Sequence, residues 1–168
     1  MFDFKAQKAR GDLYRNIRAF FTGKGYLEVF TPTLSPYLIP EPTIKTFSTL
    51  FSNEFTGERE MYMIPSPEIF MKEMLASGSP SIFQISSCFR NAEQLGDVHN
   101  PEFSMLEYYT LDYDEKDSIA LTEEMIKATA ISEPQWLKNK SLIITMEEAM
   151  WEYAKVDLIK AQEYSHLR

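Results

Sequence analysis

The stretch Phe103-Ser104-Met105-Leu106-Glu107-Tyr108-Tyr109 reads as a β-strand, aromatic and apolar throughout and set off upstream by Asn100-Pro101. Alternate residues of a strand share a face. Phe103, Met105, Glu107 and Tyr109 therefore point one way, and Ser104, Leu106 and Tyr108 the other. One face carries a lone carboxylate among apolar groups. Burying an unpaired carboxylate is expensive, so Glu107 must meet water, a donor or a cation. Two arrangements satisfy it. One is an edge strand with a wet face. The other is a pocket floor on which Glu107 and the Tyr109 hydroxyl, roughly 6–7 Å apart along the strand, receive a ligand's ammonium.

Outward from this stretch, Ile82 to Phe89 is a second β-rich run, and a polar segment containing Gly96, Asp97 and Asn100-Pro101 separates it from Phe103 to Leu111. The two runs are expected to pair antiparallel across a long hairpin loop. Arg90 then stands at the end of the first strand, within reach of the Phe103 end of the second, where a guanidinium suits phosphate or carboxylate. The plainer alternative is a surface ion pair with Glu93 or Asp97. His99 reads as a loop hydrogen-bonder. Only His166 accompanies it, so a histidine-based metal site is not supported.

Upstream, Ala6, Ala9, Leu13, Ile17, Phe20 and Phe21 recur at helical spacing, predicting an amphipathic helix over Ala6 to Thr22 that Gly23 and Gly25 stop. Tyr26 to Phe30 reads as a short strand before Thr31-Pro32. Thr33 to Arg59, with Pro36, Pro40 and Pro42, shows no sustained period and is expected to be a long irregular excursion. Met61 to Ile64 reads as a strand. Ser66-Pro67-Glu68 has the grammar of a helix start: a side-chain cap, proline at the first helical position and an acid in the first turn, with the helix reaching about Ala76.

Beyond Asp114, Ile119, Thr122, Met125, Ile126 and Thr129 predict a packing helix, followed by a turn at Pro134. Ser141 to Ile144 is a candidate strand. Thr145 with Glu148 forms a capping box for a helix holding Ala149, Met150 and Tyr153, and Asp157 opens a last helix through Ile159, Tyr164 and Leu167 to Arg168. That helix carries no closing residue. The fold class expected is α+β, an antiparallel sheet flanked by helices.

Composition narrows the function classes. With 168 residues and 44% hydrophobic content the chain is long enough for a core of its own. Its 17 Lys and Arg against 25 Asp and Glu give a net charge of −8, the wrong sign for a general nucleic-acid binder. Cys88 is the single cysteine, which excludes an intrachain disulfide and fits a reducing, cytoplasmic setting. No apolar run reaches signal or membrane-span length, so no membrane association is expected.

Phe89-Arg90-Asn91, together with His99-Asn100-Pro101-Glu102-Phe103-Ser104-Met105-Leu106-Glu107-Tyr108-Tyr109, resembles motif 2 of class II aminoacyl-tRNA synthetases in their lysine-specific branch. Gly25-Tyr26-Leu27-Glu28-Val29-Phe30-Thr31-Pro32 resembles motif 1, the helix, strand and proline that class uses to dimerise. Between them, Ser66-Pro67-Glu68 resembles the substrate loop. Three signals stand in family order over about Leu13 to Tyr113. The chain as read begins one helix before motif 1, leaving no room for an anticodon-binding domain. It therefore looks like the shorter paralogues that attach lysine to elongation factor P.

The resemblance implies an ATP-dependent ligase that activates lysine, or a lysine isomer, to an aminoacyl adenylate and passes it to a lysine of elongation factor P. Arg90 would hold the α-phosphate of ATP and act as the catalytic cation, and Phe103 would stack on adenine, with Glu93 and His99 also facing ATP. Glu68 would hold the α-ammonium of lysine, while Glu107 and Tyr109 would read its side chain. Magnesium is implied as well, with ligands mostly outside this chain, as is a homodimer through motif 1.

Two departures accompany the match. The family reads Arg-x-Glu, whereas Arg90-Asn91-Ala92-Glu93 moves the acid one place later. No motif 3 follows, so the open-ended last helix reads as a truncation before it. Two other functions stay open on these residues: charging of tRNA with lysine, and a noncatalytic truncated paralogue that dimerises or binds ligand.

Overall fold

The computed structural model describes residues 3–92, 94, 96, 99–132, 134–139 and 141–163, which fall into two compact units, 1–131 and 132–168. In the first unit, helix α1 (Phe4–Gly23) starts on Asp3, whose carboxylate accepts from the N–H groups of Lys5 and Ala6. It ends in a Schellman arrangement. The Gly25 N–H donates to Thr22 and the Tyr26 N–H to Phe21, both over 3.0 Å, with Gly25 at φ +83°. The Gly23 and Gly25 stop signal is thus realised through the left-handed conformation of Gly25.

The central sheet has the order β1 (Leu27–Glu28), β5 (Ile82–Phe89), β6 (Glu102–Tyr109). The β5–β6 pairing is antiparallel in unbroken register from Ile82↔Tyr109 to Phe89↔Glu102, as expected. β1 joins β5 in parallel, so the sheet is mixed where an all-antiparallel one was expected. The reason is topological: about fifty residues lie between β1 and β5, far more than a hairpin, and such a crossover allows parallel pairing.

Each face of this sheet has its own cover. On one, Phe83, Ile85, Leu106 and Tyr108 pack with Ile17 and Phe21 of α1 and with Leu121 of α3 (Glu115–Thr129). Phe21 is fully buried, stacked on Phe83 with ring centroids 5.0 Å apart and edge-on to Tyr26. On the other face, Ile82 and Tyr109 pack with Val29 and with Met71, Met74 and Leu75 of α2 (Glu68–Ala76). The alternation read from Phe103 to Tyr109 holds: Leu106 and Tyr108 go to one core, Tyr109 to the other. Helix α3 is closed at its start by a capping box between Asp114 and Asp117.

Residues 33–59 are not one irregular excursion. They contain β2 (Leu34–Ser35), β3 (Ser48–Asn53) and the beginning of β4 (Gly57–Met63), which form a second sheet in the order β2-β4-β3, antiparallel throughout. Five of the six β3 residues are exposed, so this strand buries no face and leaves no period-2 hydrophobic signature. The Gly57 turn, at φ +79°, closes the β3–β4 hairpin. The helix start at Ser66-Pro67-Glu68 also differs in detail. Pro67 is the N-cap, no side chain caps the helix, and Glu68 is its first residue, because Ser66 is buried one place too early.

In the second unit, a 3-10 turn (Gln135–Lys138) follows Pro134, and residues 141–144 form no strand, having no partner strand among the described residues. The Thr145–Glu148 capping box is present and opens α4 (Met146–Ala149). The helix expected to hold Ala149, Met150 and Tyr153 passes at Met150 into a π-helical turn that ends at Lys155, φ +57°. Asp157 begins α5 (Leu158–Glu163), its carboxylate accepting from the Lys160 N–H over 3.1 Å. Tyr164, His166, Leu167 and Arg168 lie outside the described residues. No described helix is long and apolar enough to cross a membrane.

Candidate active site

The face of the central sheet that α2 covers carries three of the sequence-predicted residues, Phe103, Glu107 and Tyr109. Along β6 it presents Phe103, Met105, Glu107 and Tyr109. Across the ladder, β5 sets Cys88 opposite Phe103, Ser86 opposite Met105, Gln84 opposite Glu107 and Ile82 opposite Tyr109. Cross-strand partners on one face stand about 5 Å apart at Cβ.

At one end, the Tyr109 hydroxyl donates to Glu107 Oε1 over 2.7 Å. Both side chains are half-buried. Burial raises the Glu107 pKa first of all; the Tyr109 bond opposes this, the Glu68 carboxylate adds to it, and Lys72 offsets part. The Tyr109 phenol is raised too, by burial and then by the carboxylate it donates to. Glu68 therefore lies close enough to Glu107 for the two negative charges to feel each other. The sequence-predicted acids for the two ammonium groups of lysine share one field. Ile64, Pro65 and Pro67 are fully buried, which anchors the chain where Glu68 begins α2, and the Glu68 carboxylate accepts from Lys72 one turn on. The Lys72 ammonium is held in its charged form by Glu68 first, and more weakly by Glu107 and Glu41.

At the other end, the Arg90 guanidinium carbon lies 5.1 Å from the centroid of the Phe103 ring. Backbone bonds on three successive residues fix Arg90: Phe89 N–H to Ile64 O at 2.9 Å, Arg90 N–H to Pro101 O at 2.9 Å, and Asn91 N–H to Lys45 O at 2.7 Å. Its Nε is buried and has no hydrogen-bond partner among the described residues. Glu93 and Asp97, the alternative surface partners of Arg90, lie outside the described residues. A buried, unpartnered guanidinium N–H beside an aromatic ring matches what a nucleotide offers, an anionic oxygen next to a flat base.

His99 is exposed in the β5–β6 loop, where its carbonyl accepts from the Gly96 N–H over 3.2 Å. Among the described residues no group of three or more His, Cys, Asp or Glu is placed to hold a metal ion.

Sequence reasoning singled out neither Gln84 nor Lys72. Gln84 is 4% exposed, with its Nε2 donating to Thr31 Oγ1 over 3.0 Å and its Oε1 unpartnered among the described residues. Its signal was present: one polar residue inside Ile82-Phe83-Gln84-Ile85, opposite Glu107 once the hairpin is aligned. Lys72 stands one helical turn after Glu68, the spacing at which an acid and a lysine meet.

Comparison with known proteins gives this geometry a context. Proteins named elongation factor P--(R)-beta-lysine ligase are similar to the chain. The one from Histophilus somni (strain 2336) is 41% identical over 127 residues, which are 75% of this chain and 39% of the relative. The one from Haemophilus influenzae (strain ATCC 51907 / DSM 11121 / KW20 / Rd) is 48% identical over 109 residues, 64% of this chain and 33% of the relative. In Actinobacillus succinogenes the match is 36% over 155 residues, covering 92% of this chain and 46% of the relative. The chain thus spans less than half the length of these relatives. Residues 4–165 match the family described as tRNA synthetases class II (D, K and N). The paired acids beside Tyr109, and Arg90 over Phe103, accordingly sit in a chain that belongs to the class II tRNA synthetase family.

Proposed function

We propose that this chain is the lysine- and ATP-facing part of a ligase that activates lysine, or (R)-β-lysine, and transfers it to a lysine of elongation factor P. Glu107 and the Tyr109 hydroxyl take the side-chain ammonium of the substrate, and Glu68 takes the amine near its carboxylate. An oxygen of that carboxylate attacks the α-phosphorus of ATP. An O–P bond forms, the bond to the β-phosphate oxygen breaks, and pyrophosphate leaves with the electron pair. Arg90 supplies positive charge where the α-phosphate gathers negative charge, and Phe103 offers its ring to adenine. In the second step a neutral amine of the acceptor attacks the acyl carbon, AMP departs, and the amine's surplus proton passes to solvent.

The observation that carries this reading is the half-buried Glu107–Tyr109 pair on one sheet face, sharing one field with Glu68 of α2, at the opposite end of the ladder from Arg90 and Phe103. Cations and a polyphosphate would be received at separate ends, as an aminoacyl adenylate requires. The names of the relatives support elongation factor P over tRNA as acceptor. Exposed Phe30, Tyr37 and Leu38, at and just beyond motif 1, support a homodimer contact there.

A lysine-dependent exchange of labelled pyrophosphate into ATP tests the first step. Exchange with the 168-residue chain that is lost in Arg90→Ala is the expected result. Lysine binding with no exchange would instead identify a noncatalytic module, and transfer of lysine to tRNA but not to elongation factor P would reassign the acceptor.

A further inference from the structure

We infer that Gln84 Oε1, set opposite Glu107 on the α2-covered face, is the third acceptor for the substrate's side-chain ammonium and so a specificity-determining group. This rests on the lysine reading above. An ammonium brings three N–H donors in a tetrahedral spread. Glu107 accepts one. The Tyr109 hydroxyl has committed its own proton to Glu107 Oε1, so its lone pairs are left to accept a second. A third donor with no partner would leave the buried cation undersatisfied.

Gln84 meets that need. It is 4% exposed, and in the antiparallel register it faces Glu107 directly. Its amide is oriented by the bond from Nε2 to Thr31 Oγ1 at 3.0 Å, which turns Oε1 away from Thr31. That oxygen is sealed from solvent and accepts from no donor among the described residues. Among the described residues the Glu107 side chain is bonded by Tyr109, not by Gln84, so the amide is not serving as a donor to the acid. A buried acceptor left without a donor is uncommon in folded proteins and marks either strain or an absent ligand. A neutral acceptor also suits this place, since Glu68 and Glu107 already carry the charge that a lysine's two ammonium groups require. With its oxygen closed off, Gln84 is reached once a neighbouring side chain turns aside, an adjustment common on binding.

Isothermal titration of the 168-residue chain with lysine and with norleucine, which lacks the terminal amine, tests the assignment. The unaltered chain is expected to prefer lysine. Gln84→Met, of similar shape and without an acceptor, should reduce that preference roughly ten- to a hundredfold, the range for one hydrogen bond to a charged group. Gln84→Glu, which keeps an acceptor, should retain it. No preference in the unaltered chain would overturn the lysine reading and the Gln84 role with it. A preference that persists in Gln84→Met would overturn the Gln84 role alone, and a lowered melting temperature with that preference intact would mark the residue as purely structural. If Gln84→Met does not fold, Gln84→Glu decides: loss of preference there means the amide acts as a donor and sinks the inference.

Discussion

Arg90 lies over the Phe103 ring, its guanidinium carbon 5.1 Å from the centroid, with Nε buried and unpartnered among the described residues. The cation proposed for phosphate thus rests on the ring proposed for adenine. Both are held in place by the antiparallel pairing of Cys88 with Phe103 and by the backbone bond from Arg90 to Pro101.

Arg90→Lys keeps the charge but loses the planar fork that both stacks on the ring and carries the orphaned N–H. ATP affinity should fall at least tenfold, with lysine affinity changed much less. Phe103→Leu should weaken ATP by about 1–3 kcal/mol, the range for stacking on a base. Calorimetric titration with each ligand measures both, and equal losses for ATP and lysine would count against a nucleotide end.

Glu107→Gln should weaken lysine binding far more than ATP binding, because it removes charge while keeping shape. It also has a signature without ligand. Burial raises the Glu107 pKa above its ordinary 4.5, so the folded chain holds this proton more tightly than the unfolded one. The associated stability is complete below about 4.5 and is lost as pH rises through the raised value. Melting temperatures recorded between pH 4 and 7 should show the unaltered chain losing stability relative to Glu107→Gln as pH climbs. Parallel curves would refute the burial of this acid.

Tyr109→Phe removes the donor that favours the ionised form of Glu107, so the acid's pKa should rise further. Lysine binding should weaken by about 1–2 kcal/mol, and its pH profile should move upward. Titration of the Glu107 carboxyl by carbon-detected NMR, with and without the hydroxyl, gives the shift directly.

Phe21→Ala should cost about 3–5 kcal/mol of stability, as expected for deleting a fully buried aromatic. This ring joins α1 to β5 through Phe83 and to β6 through Tyr108, at centroid distances of 5.0 and 4.9 Å. Chemical denaturation of the two proteins compares them, and a loss under 1 kcal/mol would mean that the site face stands without this core.

The residues that positioned the site were legible where a buried face imposed a period. Helix α1, the β5–β6 ladder and the split of Phe103 to Tyr109 between two faces all follow from spacing, because each packs one side against a core. β3 was missed for the converse reason: lying exposed, it has no apolar alternation to read, and its partner is fixed by hydrogen bonds that leave no mark on side chains. Leu142, Ile143 and Ile144 misled in the opposite direction, looking like a strand while remaining exposed. The parallel docking of β1 was invisible because it depends on a distant strand. Glu107 and Tyr109 were singled out by asking what a buried acid needs. The same question applied to Gln84 would have found a third polar group, had the register been in hand.

The parallel pairing of Leu27 with Ile82 also has a kinetic meaning. These partners are separated by a long stretch of chain, so their meeting requires a large loop to close before any bond rewards it, whereas the β3–β4 hairpin forms from neighbours. Assembly should therefore proceed from local hairpins outward, with the edge strand arriving late. Residues placed within that loop tolerate added length cheaply, since each doubling of a flexible loop raises its closure penalty by only about 0.6 kcal/mol. The turn between β3 and β4 is accordingly the place at which this protein can be lengthened or tagged without unseating the sheet that holds Arg90 and Glu107.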